Sequence, residues 1–168
     1  PCIGSLIWEA LGDGRGPVPG AASLPYTLFD GGVANGQDGG FLGLGRDPVV
    51  FRPAGRKLRE YGGKSPSSGR VELDLPEGLN IKRLDGRRGL LRQLEDGLQA
   101  TEHEESKAVL RSREQALDML LSPKARDAFD LEKESVKTRE TYGMHVCGQS
   151  VLTARRLAEA GVPVSTVY

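Results

Sequence analysis

His145 and Cys147 are the residues of this chain whose types and spacing come nearest to a chemical pair. An imidazole beside a thiol can act as its base, or the two groups can share a metal ion. They lie only two positions apart at the start of a predicted helix, and that spacing points side chains in different directions. Cys147 also belongs to an apolar stripe, which favours a buried structural thiol over a metal or thiolate site.

The other histidine and the other cysteine stand in sequence surroundings that offer no chemical partner. His103 lies among Glu102, Glu104 and Glu105. No second histidine follows at the spacing of a metalloprotease helix, so a solvated acidic turn is predicted. Cys2 lies near a first helix, where a thiolate can be stabilised, but no cationic residue stands beside it. The two cysteines are too few for a disulfide framework and too far apart for a zinc motif.

Two glycine-containing segments imitate phosphate-binding loops. Gly63-Lys64-Ser65 resembles the end of a P-loop, but the glycine required five residues before Gly63 would fall at Leu58, and Pro66 obstructs the expected helix. Residues 39–45 have the composition of a phosphate cradle without the spacing of the dinucleotide fingerprint or a following helix. We predict there a glycine-rich turn that packs two apolar residues, and a loop that approaches a ligand remains an alternative.

The pair Arg155-Arg156 has the residue type that suits phosphate or sulfate. It lies on a balanced amphipathic helix, which favours a solvated face over an anion clamp. Glu159 stands four residues after Arg155 and is predicted to form a surface ion pair with it.

Composition excludes several classes of function. Lys plus Arg and Asp plus Glu number 23 each, and neither half of the chain is basic, so no nucleic-acid partner is predicted. The apolar runs are only a few residues long, so no membrane span and no signal-peptide core are predicted. The compartment is left open, and export to the periplasm or cell envelope would require a signal upstream of Pro1.

The first half of the chain is predicted to be rich in loops, because 17 of the 23 glycines lie before residue 85. A helix is predicted over Ile3–Leu11, ended by Gly12. Short strands are predicted at Tyr26–Phe29 and Pro48–Phe51, and residues 52–84 are predicted to be irregular, with an exposed loop at 65–69. The apolar face of the first helix comprises Ile3, Leu6, Ile7 and Ala10.

The second half is predicted to be helical. Asp85 is predicted to cap a helix carrying Leu90, Leu91, Leu94 and Leu98. A further helix is predicted over 105–121, with its buried side formed by Val109, Leu110, Ala116, Leu117, Leu120 and Leu121. Ser122 and Pro123 are predicted to be the cap and first residue of a short helix that ends near Phe129. Another helix is predicted over Glu134–Tyr142, ended by Gly143.

The last residues form the most informative pattern. Cys147, Val151, Ala154 and Ala158, widened by Leu157, are predicted to be the buried stripe of a helix. Polar side chains lie largely off that stripe, namely Gln149, Thr153, Arg156 and Glu159. Gly161 is predicted to end the helix in a left-handed conformation, and Val164–Tyr168 is predicted to be a strand with a parallel partner. In α/β proteins the carboxyl end of such a strand borders the active site.

Three runs in fixed order resemble the bacterial domain of unknown function 1501 family, of planctomycete type. They are Ser122–Leu131, Thr138–Gly143, and Gly148-Gln149-Ser150 followed by Ala154–Val164. Pro1–Leu6 resembles an earlier helix of that family, and Gly40-Phe41-Leu42-Gly43 resembles its glycine-rich insert. The resemblance spans essentially the whole chain and is weakest from Gly55 to Gly78.

That resemblance implies an α/β fold of the alkaline phosphatase and sulfatase type, with a mainly parallel sheet flanked by helices. It implies a metal-dependent hydrolase that acts on a small anionic phosphate or sulfate ester, because divalent ions neutralise such esters and activate a nucleophile. The implied Asp and His metal ligands lie in motifs upstream of the chain and just beyond Tyr168. The sulfatase signature of that superfamily is a Cys followed two residues later by Pro or Ala and four residues later by Arg. Neither cysteine fits it, since Cys2 is followed at those positions by Gly4 and Leu6, and Cys147 by Gln149 and Val151.

The sequence therefore predicts a single incomplete domain over 1–168, with a loop-rich part at 1–84 and a helical part at 85–168. It is interpreted as the scaffold or cap segment of such a hydrolase, partnered by flanking parts of its own chain and inactive when isolated. No residue is assigned a catalytic, cofactor-binding or metal-binding role, and the divalent metal is expected only in the full-length protein. The alternative is a non-catalytic binding or surface-assembly protein that uses the same fold.

Overall fold

The computed structural model describes residues 1–12, 16–25, 28, 35–51, 80–97 and 104–168. These residues form an α/β fold with a three-stranded parallel sheet and helices on both of its faces, which confirms the predicted fold class. The strands are β1 (Ala21–Leu24), β2 (Val49–Val50) and β3 (Val164–Val167). The helices are α1 (Ile3–Leu11), α2 (Ile81–Gly97), α3 (Glu104–Leu121), α4 (Pro123–Phe129), α5 (Val136–Tyr142) and α6 (Val146–Ala160), with single 3-10 turns at Gly40–Leu42, Leu44–Arg46 and Leu131–Lys133.

The sheet has the order β2-β1-β3, with β1 parallel to both neighbours. Ala22 pairs with Val49 on one side and with Ser165 on the other, and Leu24 pairs with Val167. Side chains alternate along a strand, so Ala22 and Leu24 face one layer of helices while Ala21 and Ser23 face the other. All four residues of β1 are buried, as expected for a parallel strand covered on both faces.

The larger core lies between the sheet and the layer formed by α3, α4 and α6. Leu24 and Leu157 are fully buried there, and Phe51 packs on Phe129 with ring centroids 4.3 Å apart. An aromatic pair at this distance contributes a favourable interaction energy beyond the hydrophobic free energy of burying the two rings. The buried members of this core are Val18, Ala22, Leu24, Phe51, Met119, Ala125, Ala128, Leu157, Ala160 and Val162.

Helix α1 covers the opposite face of the sheet, through a side that the apolar pattern did not predict. Ile3 and Leu6 are exposed at 73% and 45%, whereas Gly4, Ser5 and Trp8 are buried. A Cβ on Gly4 would lie 3.0 Å from the Cβ of Ala21, so small residues at this contact let the helix lie close to the strand. The helix bounds Ile3–Leu11 and the end at Gly12 are confirmed, but the predicted buried face is wrong.

The predicted early strand differs in position from the observed one. The range Tyr26–Phe29 lies outside the described residues except for Leu28, which is not in a strand. The strand is instead Ala21–Leu24, whose small side chains have little β propensity but fit between two packed layers. The extended piece predicted at Pro48–Phe51 is confirmed as β2.

Helix α2 begins earlier than predicted. Asn80 Oδ1 accepts a hydrogen bond from the backbone N–H of Arg83 at 2.8 Å, so Asn80 caps the helix and the predicted cap, Asp85, lies inside it. Residues 52–79 of the predicted irregular segment, including the exposed loop at 65–69, lie outside the described part of the chain, as does Leu98.

Helix α3 begins within one residue of its predicted start, but part of its predicted buried side is exposed. Val109 and Leu110 are exposed at 61% and 37%, contrary to the prediction, and Ala116 is exposed as well. Met119, which the pattern missed, is buried in the core at 6% exposure. Val109 and Leu110 therefore do not contribute to the main core.

An ion cluster joins α2 to α3. Arg88 contacts Glu114 at 2.5 Å and Asp118 at 2.8 Å, and Arg92 contacts Glu114 at 2.8 Å. Partial burial of the Glu114 carboxylate acts to raise its pKa, but hydrogen bonds and charges from Arg88 and Arg92 outweigh it, so the pKa is lowered. The cluster thus stabilises the fold while Glu114 is ionised, and that stabilisation is lost as the pH falls through the lowered pKa.

The predicted caps of the later helices are largely confirmed. Ser122 Oγ accepts from the N–H of Ala125 at 3.2 Å, and Pro123 is the first residue of α4. Helix α5 ends before Gly143, but it begins at Val136 after the cap Ser135 instead of at Glu134, because the turn Leu131–Lys133 precedes it. Gly161 ends α6 with φ 107° and ψ 12°, and the chain reverses there into β3.

Candidate functional site

The carboxyl edge of the sheet is the place where a parallel α/β fold usually binds its ligand. Phe51 N donates to Ser23 O at 2.8 Å, and Tyr168 N donates to Leu24 O at 2.8 Å. The chain therefore leaves β2 and β3 on either side of the end of β1. Within the described residues, no group of three or more His, Cys, Asp or Glu side chains could hold a metal ion at this edge or elsewhere.

The segment that follows β1 is held by the buried side chain of Gln37. Its Nε2 donates to Leu28 O at 2.9 Å, and its Oε1 accepts from Leu28 N at 2.5 Å. A carboxamide that pairs with both backbone groups of one residue imitates a neighbouring strand. The Gln37 side chain thus joins position 37 to the backbone of Leu28. No spacing in the sequence indicated this role.

The glycine-rich segment 39–45 is bound to the amino end of α1. Ser5 Oγ donates to Arg46 O at 2.7 Å, and Cys2 N donates to Asp38 O at 2.7 Å. Asp47 Oδ1 accepts from Gly39 N at 2.6 Å. These bonds fix the segment by its backbone and leave its apolar side chains outside.

The prediction that this turn packs two apolar residues is wrong. Phe41 is 82% exposed and Leu44 is 73% exposed, and Leu42 alone of the three is partly buried. Gly40 and Gly43 have φ values of 52° and 81°, a backbone conformation that glycine adopts without strain. The segment turns because of its glycines and is anchored by polar contacts, so burial of apolar side chains is not needed to hold it.

The prediction that Cys147 is a buried structural thiol is wrong. His145 Nδ1 accepts from Gly148 N at 3.0 Å and caps α6, while Cys147 is exposed instead of buried. The predicted buried stripe of α6 is also wrong, because Val151 is 43% exposed and Ala158 is exposed. The side of α6 that faces the protein is formed by Val146, Gly148, Gln149, Ser150, Leu152, Thr153, Leu157 and Ala160.

Gln149 joins α5 to α6 and is fully buried. Its Nε2 donates to Arg139 O at 3.0 Å and to Gly143 O at 2.8 Å, and its Oε1 accepts from Arg139 Nε at 3.1 Å. The side chain thereby satisfies two carbonyls at the end of α5, which lack partners within that helix. We refer to Gln149 with these three bonds as the Gln149 latch.

The Gln149 latch leads to a testable prediction about stability. Gln149→Leu keeps a similar volume but leaves two carbonyls and a guanidinium without this partner, so we expect a loss of about 2 kcal/mol in the free energy of unfolding. Chemical denaturation of the purified protein measures it. Thr141→Ala, which removes an exposed hydroxyl bonded only to the Lys137 carbonyl, is the control and should change stability by less than about 0.5 kcal/mol. Equal losses in the two variants would contradict the proposed role of the latch.

The predicted solvated face is confirmed for Arg155 and wrong for Arg156. Arg155 pairs with Glu159 at 2.8 Å on the surface of α6, as predicted. Arg156 is only 13% exposed and contacts Glu134 at 2.5 Å, while its other nitrogens donate to Ala128 O and Asp127 O. Those protein oxygens occupy the guanidinium, so Arg156 fixes α4 to α6 and the anion-clamp alternative is not supported.

Two further candidate segments lie outside the described residues. They are Gly63-Lys64-Ser65 and the residues Glu102 and His103 of the predicted acidic turn, whereas Glu104 and Glu105 begin α3. Gln37 and Gln149, which the sequence reasoning missed, are neutral polar residues whose structural roles arise from burial. The Gly148-Gln149-Ser150 run, noted for its resemblance, was the one sequence signal at either position.

None of the helices in the described part of the chain is long and apolar enough to cross a membrane.

Comparison with known proteins adds one assignment. A family model described as "Protein of unknown function (DUF1501)" matches residues 1–168. No curated protein matches the chain, and no solved structure matches it.

Proposed function

The chain belongs to the DUF1501 family of proteins of unknown function, and from that premise we propose that it is the α/β scaffold of a metal-dependent phosphatase- or sulfatase-like hydrolase. The proposal places ester binding at the carboxyl edge of the β2-β1-β3 sheet. One observation carries it: three parallel strands end side by side in a sheet that is covered on both faces. In α/β proteins, ligands bind at the carboxyl edge of such a sheet.

The chain's own residues supply positioning in this proposal. Hydrolysis of a charged ester needs groups held within about 0.5 Å of their working geometry. The described part of the chain contains buried polar contacts suited to that rigidity, including the Gln149 latch and the Arg156 anchor on α4. Both lie on the helical layer that supports β1 and β3.

A divalent metal would supply charge neutralisation and an activated nucleophile in such an enzyme. Its ligands would be carboxylates and imidazoles that converge on one pocket. The described residues contain no such group of three. The proposal therefore gives these residues a scaffolding role and no part in holding the metal.

The test uses the full-length protein. Elemental analysis measures bound divalent metal, and turnover is measured with an aryl phosphate and an aryl sulfate before and after chelation. We expect metal near one or two equivalents and ester turnover that chelation abolishes. Absence of both metal and turnover would overturn the proposal in favour of a binding or surface-assembly protein.

A variant at the edge of the sheet tests the location. Tyr168 follows β3 at the carboxyl edge, so Tyr168→Ala is expected to lower kcat/KM about tenfold or more, since small misplacements at a site are costly. Glu132→Ala removes an exposed side chain on the turn between α4 and α5 and should leave kcat/KM unchanged. Unchanged kcat/KM in both variants would show that the ester does not bind at this edge.

A further inference from the structure

The cap of α6 is made by an imidazole, a side chain that can be either neutral or protonated. His145 has the extended backbone of a cap residue, with φ −133° and ψ 162°, and its Nδ1 accepts from Gly148 N at 3.0 Å. Ser, Thr, Asp and Asn are the residues usually found at this position. An imidazole can replace them only when it is neutral and carries its proton on Nε2, because Nδ1 must then be an acceptor.

The imidazole is held against the backbone that precedes it. Gly143 has φ 97°, and a Cβ added to it would lie 2.6 Å from Nε2 of His145. The ring therefore fills the space that a side chain at position 143 would take. His145 is half-buried, and it presents Nδ1 to the amino end of α6.

We propose that His145 makes the α5–α6 corner a pH-sensitive joint, which is closed when the imidazole is neutral and released when it is protonated. On protonation, Nδ1 takes a proton from solvent and becomes a donor, so the N–H of Gly148 loses its acceptor. The positive charge also lies at the positive end of the α6 dipole. Both effects oppose the cap, and both are reversed when the proton returns to solvent.

The charged and titratable groups on the packed elements have other partners or are exposed. On α5, Arg139 bonds to Gln149, Glu140 is exposed, and Tyr142 interacts with Arg155. On α6, Cys147 is exposed at the first turn. Among the described residues, the hydrogen bond of the imidazole is to Gly148 N. The hydrogen bond that caps α6 is therefore made by the neutral imidazole and is lost when Nδ1 is protonated.

The α5–α6 joint lies on the same side of the fold as the carboxyl edge of the sheet. Helix α6 and β3 are connected by a tight reversal at Gly161. The amino end of α6 and the carboxyl end of β3 thus point to the same side of the fold. Release of the corner would loosen the support on that side, whether or not the protein is a hydrolase.

Hydrogen–deuterium exchange of the full-length protein tests the joint directly. We compare the peptide covering residues 144–150 at about pH 8 and about pH 5, with rates corrected for intrinsic exchange. In the native protein, the protection factor of this peptide is expected to be lower at the acidic pH by about fivefold or more. A loss of that size is the expected effect of removing a helix cap. His145→Asn, which caps without titrating, should show no such fall.

Two further variants keep the test decisive. His103→Asn makes the same change at a histidine remote in sequence and should behave like the native protein. His145→Ser offers a second non-titrating cap if the asparagine variant folds poorly. Acid titration of carboxylates such as Glu114 is common to all of these proteins and cancels in the comparison. Constant protection in the native protein, or an equal fall in both His145 variants, would overturn the proposal.

Discussion

Gly148→Ala is expected to destabilise the protein by about 3 kcal/mol, as expected for forcing an extra methyl group into a packed corner. Gly148 lies in the first turn of α6 and is buried. A Cβ at this position would lie 2.0 Å from Tyr142 O and 2.7 Å from Gly143 O. Backbone carbonyls cannot rotate away as a flexible side chain can, so α5 and α6 would have to separate. That separation would also stretch the Gln149 latch.

The same substitution in α2 provides a matched control. Gly89 is likewise inside a helix, but a Cβ there would meet nothing within 4 Å, and the residue is exposed. Gly89→Ala should therefore stabilise the protein by about 0.5–1 kcal/mol through helix propensity. Thermal or urea unfolding of both variants measures the contrast. A destabilisation of Gly148→Ala no larger than about 0.5 kcal/mol would show that α5 and α6 are not in close contact.

Features decided by local chemistry were predictable from the sequence. Ser122 followed by Pro123 marks a helix start because the hydroxyl satisfies an N–H and proline needs none. Gly12 and Gly161 mark helix ends because each adopts a positive φ that other residues avoid. These signals act within one turn of chain, so they hold without knowledge of the tertiary structure.

The faces that helices bury were not predictable from apolar periodicity. Helix α1 contacts the sheet at Gly4 because close approach requires a residue without a large side chain. Helix α6 buries Gln149 and Thr153, whose polar groups are paired inside the protein. A hydrophobic pattern counts such residues as outward-facing, since their partners are distant in sequence or lie on the backbone.

The sequence indicated a place in the fold for the candidate site but no residue that belongs to it. A parallel strand at the end of the chain indicated a carboxyl edge, and β3 confirms the strand. The strand at its centre, Ala21–Leu24, was missed because its small residues carry no alternating pattern. The polar residues that hold the region together, Gln37 and Gln149, show no chemical motif because their role depends on which carbonyls lie beside them.

The two candidate faces of α6 can be distinguished by a pair of truncations. Leu157 is 0% exposed in the core between the sheet and α4, whereas Val151, a member of the predicted stripe, is 43% exposed. Leu157→Ala should destabilise the protein by about 3 kcal/mol, through lost burial and the cavity that remains. Val151→Ala should change the free energy of unfolding by less than about 0.5 kcal/mol, because little area is lost and alanine favours the helix.

Equilibrium unfolding in urea gives both values, and the size of the slope shows whether each variant still unfolds as one unit. The comparison is sharp because the two side chains lie on one helix and differ mainly in what they contact. If Val151→Ala were the more damaging change, the stripe through Cys147 and Val151 would be the buried face. Helix α6 would then be rotated about its axis, and the Gln149 latch could not form, since Gln149 would face away from α5.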